Sequence, residues 1–133
     1  MKKRIVALEG SSSGLTAALE VKRLLGAQVD VTLISADKDF VFLPSLPWLI
    51  MGSRRPADIT LSVADILEPR GITFIHETVT TVQPDELKVC TDKGEYAYDY
   101  LVISTGPHLS CEEIPGLSPK KGIPTVPLAW IMP

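Results

Sequence analysis

Apolar and polar residues follow one another along this chain in two rhythms. The first is continuous: RIVAL at 4–8, VDVTLIS at 29–35 and ITFI at 72–75 are short apolar, β-rich runs of the kind found in parallel strands covered on both faces. Between the first two, Leu15, Ala18, Leu19, Val21 and Leu25 fall near helical spacing, so residues 15–25 are predicted as a helix with Gly26 as its C-terminal cap. Strand, serine-glycine turn, helix and strand with a short connection make a right-handed βαβ unit. A second short helix is predicted over 59–67, stopped by Pro69 and Gly71. From Thr78 the rhythm shortens. VTTVQ, LKVCT and EYAY are separated by Pro84-Asp85 and by Asp92-Lys93-Gly94, which predicts an antiparallel β-meander. YLVI at 100–103 returns to the continuous type and is closed by Ser104, Thr105, Gly106 and Pro107. The pattern as a whole predicts an α/β fold with a parallel sheet plus a meander, and the apolar tail 122–133, with three prolines, fits no element.

Composition narrows the function classes. A chain of 133 residues, 45% hydrophobic, has the material for one core. Its net charge of -3 and scattered Lys and Arg lack the basic footprint of a nucleic-acid binder. The run 40–51 is cut by Pro44 and Pro47 and falls short of the roughly 20 residues of a membrane span. MKKR is followed by IVALEG, which reaches Glu9 too soon for a secretory signal, so the chain is expected in the cytoplasm. Cys90 and Cys111 have no CxxC spacing and read as free thiols; His76 and His108 have no metal spacing, and His76 is expected to be half-buried.

The chemistry sits in LEGSSSGL, between the first strand and its helix. A dinucleotide loop there needs glycines for a tight turn, for close approach of the pyrophosphate and for close packing of helix on strand, while free helix N–H groups hold the phosphates. In the register fixed by the helix, those three positions are Glu9, Ser11 and Gly14. Only Gly14 is a glycine. Glu9 turned toward a phosphate 4 Å away would cost about 1 kcal/mol in water and about 4 near a protein surface. The alternative is that Ser11 or Ser12 caps the helix, Gly14 packs on the strand, and nothing binds.

Four stretches, GLTAALEVKRLLG, VTLISADKDFVFLPSLPWLIMG, GITFI and YDYLVISTGPHL followed by IPG, give the chain a resemblance to the amino-terminal part of the sulfide:quinone oxidoreductases. These are a branch of the FAD-dependent pyridine nucleotide-disulfide oxidoreductases. The resemblance implies a Rossmann-like FAD/NAD(P)-binding domain over 1–117, incomplete at its carboxy-terminal side, followed by the tail 118–133. It implies FAD as cofactor. Gly10, Ser11, Ser13 and Gly14 would form the phosphate loop. Ser35 and Ala36 would lie at the adenosine ribose, where the acidic residue common in related flavoproteins is absent and Asp37 is the nearest substitute. Leu43, Pro44 and Ser45, shaped by Pro47 and Trp48, would lie beside the isoalloxazine ring. Val79 would offer its backbone to adenine, and Thr105 and Gly106 would let the backbone approach FAD.

The same resemblance places the family's second dinucleotide-like domain, reactive cysteine pair and membrane-binding helices later than residue 133. Quinone and membrane contact therefore belong to the full-length family, and the chain alone is expected to be inactive. A sheet lacking its last strand leaves an open edge, which predicts a homo-oligomer or a complementing chain. A reading from another class also stands: a Rossmann-like domain that has lost FAD and serves as an interaction module or truncated product.

Overall fold

The computed structural model describes residues 1–106 and Glu113; Pro107, His108, Cys111 and the tail 118–133 lie outside the described residues. Strand β1 (Lys3–Leu8) leads through a tight turn into helix α1 (Ser12–Leu25), and a 3-10 turn connects it to β2 (Val29–Ser35). Helix α1 begins three residues before the predicted start, because Ser11 caps it: its hydroxyl accepts from the Gly14 N–H at 3.4 Å. Gly26 ends the helix with a positive φ of 54° and donates its N–H to Lys22 O.

Beyond β2 the chain forms β3 (Asp39–Val41), a 3-10 turn at Leu43–Ser45, α2 (Leu46–Ile50), β4 (Thr60–Ser62), α3 (Val63–Leu67) and β5 (Thr73–His76). The predicted helix over 59–67 is thus corrected. Its first half is strand, with Thr60–Ser62 paired antiparallel to Asp39–Val41, and only Val63–Leu67 is helical. The β-branched Ile59 and Thr60 favour the extended form, and Ser62 supplies the cap by accepting from Asp65 N–H at 3.3 Å. The meander follows as β6 (Val79–Gln83), β7 (Lys88–Thr91) and β8 (Glu95–Ala97), and β9 (Tyr100–Ile103) re-enters the main sheet.

That sheet has the order β5-β2-β1-β9, all pairs parallel. Alternate residues of β1 face opposite ways, and each face has its own core. Ile5 and Ala7 join Leu15 and Ala18 of α1 and Val63 and Leu67 of α3, whereas Val6 and Leu8 join Val89 and Tyr98 beneath the meander. Leu33 and Ile34 are fully buried, one on each side, so the apolar/polar alternation of Val29–Leu33 gives way to continuous burial at the carboxyl end of β2. Burial of each such side chain contributes about 1.5–3 kcal/mol. Asp99 fastens the start of β9 to β1: its carboxylate accepts from the Arg4 N–H at 2.7 Å, and its own N–H donates to Arg4 O at 2.8 Å. The carboxyl ends of β1, β2 and β9 are thereby held level, at the edge where ligands bind in open α/β sheets.

Candidate functional site

The turn after β1 is built on one close approach. A Cβ on Gly14 would stand 2.1 Å from the carbonyl oxygen of Glu9 and 2.6 Å from Ser104 Oγ. Glycine at this position lets the first turn of α1 lie directly on the ends of β1 and β9. The contact is stitched by hydroxyls: Ser104 Oγ donates to Leu8 O at 2.8 Å, and Ser11 Oγ donates to Ser104 O at 2.9 Å. Ser11 is therefore turned into the loop's own framework. The N–H groups of Ser12 and Ser13, at the first two positions of α1, have no hydrogen-bond partner among the described residues.

Glu9 takes the tight-turn position that glycine would fill. Its φ is 74°, a left-handed conformation that costs a residue bearing a side chain about 1–2 kcal/mol. Its N–H donates to Ile34 O at 2.8 Å, and its carboxylate reaches over the end of β2, where Ser35 Oγ donates to Oε2 at 3.3 Å. The fully buried Ser35 hydroxyl also accepts from Asp37 N–H at 3.1 Å. Burial pushes the Glu9 carboxyl above its ordinary value; the Ser35 hydrogen bond opposes the rise, and the negative charge of Asp37 adds to it.

These residues line a cleft of about 440 Å³ at the carboxyl edge of the sheet, within the size range of small-molecule sites. Of the residues singled out from sequence, the cleft gathers Gly10, Ser11, Ser13, Ser35, Thr105 and Gly106, with Leu43 on the far wall. Gly14 lies buried behind the loop as its packing residue. Ala36, Pro44 and Val79 are not in the lining. Ala36 is exposed, with its carbonyl 2.8 Å from His76 Nε2; Pro44 is exposed in the turn Leu43–Ser45; Val79 packs on the meander-side core. His76 is itself exposed, correcting the expected half-burial, because β5 is an edge strand; its ring stacks at 6.4 Å on Phe74. Trp48 is half-exposed beneath the Arg54 guanidinium, 5.3 Å from its ring centroid. Cys90 is free in β7, away from the cleft. No cluster of metal-ligating side chains occurs among the described residues.

Sequence reasoning missed Asp39, Phe40 and Val41, which reach the cleft because β3 folds back on β4. Among the described residues, the cleft lining carries the carboxylates of Glu9, Asp37 and Asp39 and no Lys or Arg. A dinucleotide nevertheless fits the arrangement. The free N–H groups of Ser12 and Ser13 lie at the positive end of a 14-residue helix; Gly106, where an added Cβ would meet no atom within 4 Å, leaves the backbone bare beside it, while Gly10 packs against Ser35 and Val63.

Comparison with known proteins agrees with this fold. The sulfide-quinone reductase of Aquifex aeolicus is 38% identical over 110 residues, covering 82% of this chain and 25% of that protein. The mitochondrial sulfide:quinone oxidoreductase of Mus musculus is 33% identical over 116 residues, covering 85% of this chain and 25% of that protein. The chain thus spans about a quarter of the length of these relatives. The solved structure of the Aquifex aeolicus sulfide:quinone oxidoreductase superposes with a TM-score of 0.74, covering 80% of this chain and 25% of that one. NDH2 from Plasmodium falciparum, solved in complex with NADH, shares the fold at a TM-score of 0.71 and 24% identity, covering 86% of this chain and 24% of that one. The resemblance read from the four sequence stretches is borne out, and so is the Rossmann-like fold. With the family matched over residues 4–127, the chain belongs to the pyridine nucleotide-disulphide oxidoreductases.

Proposed function

We propose that this chain is the FAD-binding portion of a flavoprotein like the sulfide:quinone oxidoreductases. One observation carries the reading: the free N–H groups of Ser12 and Ser13 open onto a cleft whose other walls are the ends of β2 and β9. Ser12 and Ser13 would hold the pyrophosphate, Gly106 would let the backbone approach it, and the end of β2 at Ser35 would lie beneath the adenosine ribose. Leu43 would bound the flavin side. Bound FAD would supply electron transfer, from sulfide to quinone in a full-length protein of this kind. The chain's own residues bind and orient; none of them, among those described, is proposed to react.

The test is the visible absorption spectrum of the purified 133-residue chain after incubation with FAD and desalting. Retained flavin near one per chain supports the reading. A colourless protein that still melts cooperatively overturns it in favour of a domain without cofactor, a reading favoured by the three carboxylates on the cleft wall. We further propose that the chain associates, with itself or with a complementing chain. The edge strand β9 exposes Tyr100 and Ile103, and Phe42, Leu43, Ile50 and Met51 are exposed as well. A soluble monomer at high concentration on size-exclusion chromatography contradicts that.

A further inference from the structure

In dinucleotide-binding folds the carboxylate that accepts the ribose hydroxyls stands at the end of the second strand. Here β2 ends at Ser35 and is followed by Ala36, which has no carboxylate to offer. The nearest acid onward in the chain, Asp37, lines the cleft and fixes Ser35 Oγ through its N–H at 3.1 Å, but its carboxylate has no hydrogen-bond partner among the described residues. The carboxylate that is anchored at the end of β2 comes from the neighbouring strand. Glu9 leaves β1 with a φ of 74° and lays its side chain across the sheet edge, so that Oε2 lies 3.3 Å from Ser35 Oγ. Glu9 and Ser35 line one cleft with the N–H groups of α1, and Ser35 is fully buried, so its hydroxyl is held in one orientation by Asp37 and Glu9.

We propose that Glu9 is the ribose acceptor of this cleft: its carboxylate, positioned by Ser35, receives the hydroxyl hydrogens of the adenosine ribose in place of an acid after β2. The assignment rests on the FAD reading above. It turns the oddity of the loop into a division of labour. An ionised carboxylate repels phosphate and attracts hydroxyl donors, so the phosphates are directed to Ser12 and Ser13 and the ribose to Glu9. The glycine missing from the turn and the acid missing after β2 are then one exchange, a carboxylate moved from one strand end to the adjacent one.

The experiment is a flavin-fluorescence titration of the full chain with FAD and with an FAD analogue lacking the adenosine 2′-hydroxyl. The unmutated chain is expected to prefer FAD by about tenfold or more, the value of a hydrogen bond to a charged acceptor. Glu9→Gln, which keeps the shape, is expected to lose most of that preference. Glu9→Gly, which relaxes the turn, is expected to lose all of it, and adding Ala36→Glu to Glu9→Gly is expected to restore it. If Glu9→Gly binds FAD as tightly as the unmutated chain and keeps the 2′-hydroxyl preference, Glu9 is no ribose acceptor. Equal binding of the two flavins by the unmutated chain overturns the assignment while leaving the FAD reading intact. Failure of the unmutated chain to bind FAD at all overturns both.

Discussion

Replacing Gly14 by alanine tests the packing on which the cleft depends. The added Cβ would meet the Glu9 carbonyl oxygen at 2.1 Å, whereas ordinary contacts fall at 3.4–4 Å. The first turn of α1 must therefore retreat from the sheet by about 1 Å. Neither obstacle yields cheaply. The Glu9 carbonyl belongs to a turn whose N–H is bonded to Ile34 O, and Ser104 Oγ is bonded to Leu8 O. Retreat also stretches the bond from Ser11 Oγ to Ser104 O. Overpacking against fixed backbone costs about 2–4 kcal/mol, a large share of the roughly 5–15 kcal/mol that holds a domain together. The midpoint of thermal unfolding followed by circular dichroism should fall by roughly 5–15 °C. Gly94→Ala is the control: Gly94 has no left-handed φ, and the nearest atom to the added Cβ is Tyr96 Oη at 3.7 Å, an ordinary contact, so the change should cost under about 1 kcal/mol. If Gly14→Ala is no more destabilising than Gly94→Ala, α1 does not lie on the β1 turn as described.

Glu9→Gln should alter how stability depends on pH. Because burial raises the Glu9 carboxyl pKa in the folded state, protonation favours the fold; that contribution is full below the ordinary value of 4.5 and is lost as pH rises through the folded value. Denaturant titrations should find the variant more stable than the unmutated chain at pH 7, by under about 1 kcal/mol since solvent screens a half-exposed carboxylate, with the gap closing below pH 4.5. A gap that widens on acidification contradicts the sign. Ser11→Ala removes both the cap on Gly14 N–H and the tie to Ser104 O and should cost about 1 kcal/mol in urea denaturation; an unchanged midpoint would show that the helix start is held by other groups.

The βαβ unit was legible because three signals agreed there: continuous apolar strands, helical spacing and the Gly26 stop. The meander was legible for the same reason, since Pro84-Asp85 and Asp92-Lys93-Gly94 break the chain where β6, β7 and β8 turn. The β3–β4 pair was hidden. Its strands are three residues each, and Ile59, Val63, Ile66 and Leu67 imitate helical spacing across the boundary between β4 and α3. Ser62 with Asp65 three residues on was the available sign that the helix starts late. In the site, spacing alone identified Glu9, Ser11 and Gly14. The direction of the Glu9 side chain was illegible, because it depends on a single positive φ at a residue that rarely adopts one. The arrival of Asp39, Phe40 and Val41 at the cleft depends likewise on a pairing across some twenty residues that leaves no local mark.

The most direct measurement is an amide nitrogen–proton correlation spectrum of the isotopically labelled chain, recorded with and without FAD. Binding as described should shift the signals of Gly10, Ser12, Ser13 and Gly106 and leave those of Gly26 and Lys88 in place, since the latter lie away from the cleft. An unchanged spectrum at saturating FAD, or shifts confined to residues outside the cleft, would contradict the account.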